Sequence, residues 1–220
     1  MPDRPPPFVK VCCISSVAEA RLAVAAGASA LGLVSAMPSG PGVIGEALIA
    51  QIAAQVPPPV ATFLLTALQH ADAIVAQHAR CRTSTIQLVD RVEPHELARL
   101  RAALPGIRLV QVIHVDGEAS IDEAIETAKH VDALLLDSGN QKLAVKELGG
   151  TGRTHDWRLS RRIRDAAKVP LFLAGGLTPA NVAEAIAAVE PFGLDLCSGV
   201  RTDGALDAAK LHAFMRAVRA

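Results

Sequence analysis

Aromatic residues are scarce in this chain: they make up 3% of its 220 residues, with one tryptophan and no tyrosine. Half of the sequence is hydrophobic, so a substantial core is expected, built from Ala, Leu, Val and Ile in layers. Excess charge is also lacking. The 22 Lys and Arg residues balance 22 Asp and Glu, which argues against nucleic acid or an anionic membrane as main partner. Any anion site must then be local, made from backbone amides and a few cations. No apolar stretch reaches membrane-spanning length. The start, with Asp3, Arg4 and several prolines, is neither a signal nor a transit peptide. Cys12, Cys13, Cys81 and Cys197 contain no C-x-x-C pair, and the seven histidines lack ligand spacing. No serine triad or P-loop is visible either. These absences predict a reduced, cytoplasmic protein without a metal site.

Present instead is an eightfold alternation. Strand patterns fall at 8–13, 29–34, 59–65, 84–89, 107–114, 132–137, 169–174 and 193–197. Helical patterns fall between them at 16–27, 45–55, 69–79, 93–104, 118–129, 157–166, 178–188 and 207–218. Ser16 with Glu19 reads as a capping box, Gly27 as a helix end, Asp156 as an N-cap, and Thr178-Pro179 as N-cap plus first-turn proline. No composition break divides the chain. The expectation is one α/β domain over residues 1–220, a (β/α)8 TIM barrel, with residues 1–7 as a disordered or extended tail.

Three of the apolar runs lead into glycine turns: Leu134–Asp137 into Gly149-Gly150-Thr151-Gly152, Leu171–Ala174 into Gly175-Gly176, and Leu194–Cys197 through Ser198 into Gly199. Glycine lets backbone amides approach a phosphate closely. Successive turns of this kind at one end of a barrel predict a phosphate cradle from Gly150, Thr151, Gly152, Gly175, Gly176, Ser198 and Gly199. Two long loops, from Ser35 to about Ile44 and from Ser138 to His155, lie at the same strand ends.

The groups able to do chemistry are few. Lys10-Val11-Cys12-Cys13 closes the first strand, and alternation puts Lys10 and Cys12 on one face with Cys13 on the other. Cys12 is a candidate base or nucleophile, with Lys10 favouring its thiolate; the alternative is a small core residue. Asp137, after three leucines, and Asp195, within the last strand, are costly carboxylates unless paired or functional, or acceptors for loop amides. His114, at the end of the fifth strand, stands apart from the other histidines, which read as mostly solvent-facing.

Together these residues resemble the phosphoribosylanthranilate isomerase family of the tryptophan pathway, over Val9 to about Val218. The similarity is specific at Lys10-Val11-Cys12, Ala30–Val34, Leu135–Ser138, Gly149–Trp157, Leu173–Leu177 with Asn181-Val182, and Ser198-Gly199-Val200. The resemblance implies a ribulose-phosphate-binding type of barrel and a cofactor-independent Amadori rearrangement of an N-(5'-phosphoribosyl) amine. It implies Asp137 as the general acid that opens the ribose and Cys12 as the general base that takes the C2 proton. The partner would be a small phosphorylated sugar-amine, and the protein a monomer or homodimer.

The departures cluster. The family's Lys-x-Cys-Gly-x-Thr becomes Cys13 at the glycine and Ser15 at the threonine. The arginine of Ser-Pro-Arg, resembling a clamp for the anthranilate carboxylate, is missing around Gly42, within Met37–Val43. Gln-Leu-His-Gly becomes Gln87-Leu88-Val89-Asp90, and the glutamate after Ser-Gly-Val becomes Arg201. Either Arg201, Arg153 or Arg91 replaces the missing cation, or the aglycone carries no carboxylate there. Lys10, Gln87, Asp195, Arg201 and Arg153 are therefore further substrate-site candidates. Two other readings stand beside this one. A different phosphosugar isomerase is opposed by Cys12, since the related histidine-pathway isomerase uses an aspartate there. A non-catalytic phosphometabolite-binding barrel is favoured by the altered second loop.

Overall fold

Eight parallel strands close into a barrel in chain order, the last pairing with the first. They are β1 (Phe8–Val11), β2 (Ala30–Val34), β3 (Ala61–Thr66), β4 (Thr85–Leu88), β5 (Arg108–His114), β6 (Ala133–Asp137), β7 (Leu171–Leu173) and β8 (Gly193–Leu196). The helices between and after them are α1 (Val17–Ala25), α2 (Glu46–Ala53), α3 (Ala71–Cys81), α4 (Pro94–Ala103), α5 (Ala119–Ala128), α6 (Trp157–Ala166), α7 (Val182–Val189) and α8 (Ala208–Arg219). A 3-10 turn, Ser198–Val200, and a hairpin pairing Arg201–Thr202 (β9) with Ala205–Leu206 (β10) follow β8. This computed structural model describes residues 5–139 and 152–220, so Gly149, Gly150 and Thr151 lie outside the described residues, as does the start of the expected tail.

Each strand alternates between two apolar surroundings, as a strand buried on both faces must. Leu31, Leu33, Ile86, Leu88, Leu134 and Leu136 point outward into an aliphatic layer beneath the helices. Ala30, Phe63, Val110, Val112, Ala133, Leu135 and Phe172 fill the barrel. That interior departs from the all-aliphatic expectation. Phe63 and Phe172 meet edge to face there at 6.0 Å, and fully buried Lys10 lies 5.4 Å from the Phe63 ring. The large groups fit because small ones face them: a Cβ on Gly193 would come within 2.5 Å of the Phe172 ring.

The local signals are mostly realised. Ser16 Oγ accepts from the Glu19 amide at 3.1 Å, Asp156 accepts from the Arg158 amide at 2.9 Å, and Gly27 takes φ +96°. Thr178-Pro179 is different: it forms a turn, and α7 starts only at Val182. Asn181 holds that turn, accepting from the Thr178 amide at 2.8 Å and donating to the Gly176 carbonyl at 3.0 Å. The first strand also stops early, at Val11, because Cys13 adopts φ +61°, outside strand geometry.

Candidate active site

At the C-terminal mouth of the barrel, a cleft of about 670 Å³, counted to its open rim, collects residues from seven strand ends. Cys12 follows β1, Asp137 ends β6, Ala174-Gly175-Gly176 follow β7, and Asp195 to Ser198 close β8. Val34, Leu65, Gln87 and Val89 supply the opposite side. The topology therefore unites Cys12, Asp137, Gln87, Asp195, Gly152, Gly175, Gly176 and Ser198 around one space.

Cys12 faces inward because the register leaves room for it. A Cβ on Gly32 of β2 would come within 2.8 Å of Cys12 Sγ and 3.1 Å of Lys10 Nζ. Sequence reasoning missed Gly32, whose signal is a glycine inside an apolar strand. Beneath Cys12, Lys10 and Asp195 are cross-strand neighbours, with Nζ 2.8 Å from Oδ2. Burial alone would push the Lys10 ammonium down, but Asp195, with Cys12 and Cys13, carries it above the ordinary lysine range. Lys10 is thus a fixed positive charge beneath the cleft, which it does not line, paired rather than free to reach a ligand.

Asp137 is buried at the end of β6, and its Oδ1 accepts from the Ser138 amide at 2.7 Å. Gln87 is 3% exposed, and its Oε1 meets no hydrogen-bond partner among the described residues. That acceptor aimed at the cleft suits a substrate hydroxyl or N–H. His114 is buried beside Asp137 in the register, with Nε2 3.2 Å from the Val89 carbonyl, and does not line the cleft. His78 is buried too, with Nε2 2.7 Å from the Thr83 carbonyl, so the solvent-facing expectation for the other histidines fails at His78.

Of the expected cradle, Gly152, Gly175, Gly176 and Ser198 line the cleft, whereas Gly199 packs on Leu177 behind it, and the chain's own backbone already demands glycine at these turns. Gly175 and Gly176 take φ of +83° and +60°. A Cβ on Gly176 would lie 2.8 Å from the Arg153 carbonyl carbon, and one on Gly199 only 2.0 Å from the Leu177 carbonyl oxygen. Gly152 and Ser198 complete the contact, with 3.6 Å between a Cβ at 152 and Ser198 Oγ.

The other wall differs from expectation. Cys13 does not point away from Cys12; its left-handed backbone turns it into the same cluster as Cys12, against the loop after β2. Its thiol meets those of Cys12 and Cys197, and those hydrogen bonds together with burial push Cys13 up. Cys197 moves the opposite way, lowered by the bond from Cys13 and by Arg201. None of the three proposed replacement cations lines the cleft. Arg201 is engaged with Glu19 at 3.0 Å and with the carbonyls of Cys12 and Cys13. Arg91 pairs with Glu93 at 3.5 Å on the surface, and Arg153 is exposed, its backbone packed on Gly175 and Gly176. Among the described residues no cluster of His, Cys, Asp and Glu is arranged to hold a metal, and no helix is long and apolar enough to cross a membrane.

Comparison with known proteins agrees with this geometry. The family model for N-(5'phosphoribosyl)anthranilate (PRA) isomerase matches residues 9–217. The N-(5'-phosphoribosyl)anthranilate isomerase of Methanocella arvoryzae is 33% identical over 195 residues, 89% of each chain. The phosphoribosyl anthranilate isomerase structure from Thermotoga maritima superposes with a TM-score of 0.82 at 27% identity, covering 97% of this chain and 98% of that one. Another such enzyme, solved in complex with reduced 1-(o-carboxyphenylamino)-1-deoxyribulose 5-phosphate, gives 0.79 at 25% identity, covering 97% and 98%. The chain belongs to the N-(5'phosphoribosyl)anthranilate (PRA) isomerase family.

Proposed function

We propose that the protein catalyses the Amadori rearrangement of N-(5'-phosphoribosyl)anthranilate, a step of tryptophan biosynthesis, without a cofactor. The observation that carries this reading is the meeting of Cys12 and Asp137 in one cleft whose other wall is the glycine turns. Asp137 gives its proton to the ribose ring oxygen as the C1–O bond opens, leaving an imine. Cys12, beside the Lys10 ammonium, removes the C2 proton and yields an enolamine, which tautomerises to the ketone. Gly152, Gly175, Gly176, Ser198 and Gly199, with Gly150 and Thr151 from the neighbouring segment, hold the 5'-phosphate. Gln87 and Asp195 face the sugar.

A direct turnover assay with phosphoribosylanthranilate tests this. Cys12→Ser and Asp137→Asn are each expected to lower kcat by about 10²–10⁴-fold. Unchanged turnover in either would remove that residue from the mechanism.

One observation favours a second reading, in which the aglycone carries no carboxylate at this point. The wall from β2 to β4 is Val34, Met37, Ser39, Gly40, Pro41, Leu65, Gln87 and Val89, with no cation lining it among the described residues. A charge-assisted hydrogen bond contributes about 1.5–3 kcal/mol, so this wall favours a neutral aglycone. Higher kcat/KM for a phosphoribosyl amine with an uncharged aromatic aglycone than for the anthranilate compound would establish it; the reverse order would exclude it.

A further inference from the structure

We propose that Arg201 is a positioning residue for Cys12, acting through the backbone of Cys13. The inference rests on the role for Cys12 proposed above. Arg201 opens the strand that follows the turn after β8, next to β1 in the closed barrel. Its Nη2 donates to the Cys13 carbonyl at 2.5 Å and to the Cys12 carbonyl at 3.3 Å. Both terminal nitrogens reach Glu19, at 3.0 and 3.1 Å, and Nη1 also donates to the Gly204 carbonyl at 2.8 Å. Glu19 is itself anchored by the amides of Ser15 and Leu206, at 2.9 and 2.8 Å. The guanidinium is therefore engaged on the protein, and its side chain is 9% exposed.

What it holds is an unfavourable turn. Cys13 sits at φ +61°, a conformation glycine adopts freely and a residue with a Cβ does not. The Cys13 side chain is accepted only because residue 42 is glycine: a Cβ there would lie 2.5 Å from Cys13 Cβ. Cys13 Sγ also lies 3.6 Å from the Pro41 carbonyl. The turn is thus gripped from the β8 side by its carbonyl and from the second loop by its side chain. Cys12, one residue earlier, takes its direction from that grip. Without Arg201, Cys13 relaxes toward negative φ and Cys12 rotates away from the C2 proton. A glycine at 13 needs no such help, so the dependence on Arg201 follows from Cys13.

The test is a cycle of Arg201→Ala, Cys13→Gly and the double variant. It is read by steady-state kinetics on phosphoribosylanthranilate and by site-resolved iodoacetamide alkylation of Cys12. Arg201→Ala is expected to lower kcat by about 10- to 100-fold with KM little changed, as misplacement of a reacting group does. The double variant is expected to lie within about 3-fold of Cys13→Gly alone, as near-complete coupling requires. Cys12 alkylation should shift in Arg201→Ala and return in the double variant. Equal losses from Arg201→Ala in both backgrounds would overturn the proposal, as would a loss confined to KM, which would make Arg201 a substrate contact. If Arg201→Ala does not fold, Arg201→Lys runs the same cycle, since lysine keeps the charge without the fork. Should the wild type fail to turn over phosphoribosylanthranilate, the substrate reading falls and the alkylation arm still decides the clamp.

Discussion

The two walls of the cleft are built from different material. On the β7–β8 side, backbone packs on backbone: the Leu177 carbonyl against Gly199, and the 152–154 segment against Gly176. On the β1–β2 side, side chains do the work: Cys13 fills the space over Gly42, and Arg201 ties the Cys12–Cys13 carbonyls to Glu19. A backbone wall fixes shape and leaves few alternatives, which suits a phosphate. A side-chain wall can be rebuilt by compensating substitutions, which suits recognition of a variable aglycone. The altered motif residues Cys13, Gly42 and Val89 fall outside the backbone wall, and Arg201, which follows the turn after β8, reaches across to the Cys12 and Cys13 carbonyls.

Variants at three places probe this contrast, beginning with the tie between the walls. Lys10 and Asp195 join β1 to β8 across the barrel floor. Lys10→Met leaves a buried carboxylate without its partner and is expected to cost ~3–5 kcal/mol. The double variant Lys10→Met with Asp195→Leu should recover much of this in denaturant titration. An additive double loss would show that the pair is not the tie. Gly199→Ala comes next. Its Cβ would lie 2.0 Å from the Leu177 carbonyl oxygen, so about 3 kcal/mol is expected from the forced backbone shift. Phosphate-analogue affinity, followed by calorimetry, should fall with it, whereas a fully stable variant would mean the backbone wall is softer than described.

The smallest effect belongs to the side-chain wall and is a pH dependence. Burial works against the Glu19 carboxylate, but Arg201 and the amides of Leu206 and Ser15 hold its pKa below the ordinary glutamate range. A lowered folded pKa means that the stabilisation is complete above the unfolded value of ~4.3 and is lost as pH falls through the folded one. Glu19→Gln should therefore lower the melting temperature by a few degrees at neutral pH, the scale of a partly exposed charge-assisted contact in a chain of this size. The gap to wild type should close on acidification below ~4.3. A constant gap across that range would show that the carboxylate's charge is not what Glu19 contributes.

Much of this was legible in the chain because it depends on local chemistry. The eightfold alternation, the N-caps at Ser16 and Asp156 and the left-handed Gly27 are written in residues close to one another. Cys12, Asp137 and the glycine turns were legible through motifs, and strand order alone brings them to one end of a parallel barrel. Thr178-Pro179 was misread because a proline after a threonine suits a turn as well as a helix start; Asn181 decided between them. Cys13 was misplaced because strict alternation assumes that the strand continues.

What the sequence by itself determined is the closed α/β barrel and the end of it at which chemistry is placed. Both follow from hydrophobic periodicity and turn chemistry, which act over a few residues. Only the tertiary structure decided what Lys10, Arg201 and Glu19 do. Glu19 reads as half of a capping box, yet it also receives Arg201 from 182 positions away. Arg201 reads as a free cation and is instead clamped. Partners of charged side chains are chosen by proximity across a closed barrel, and a linear sequence holds no record of that distance.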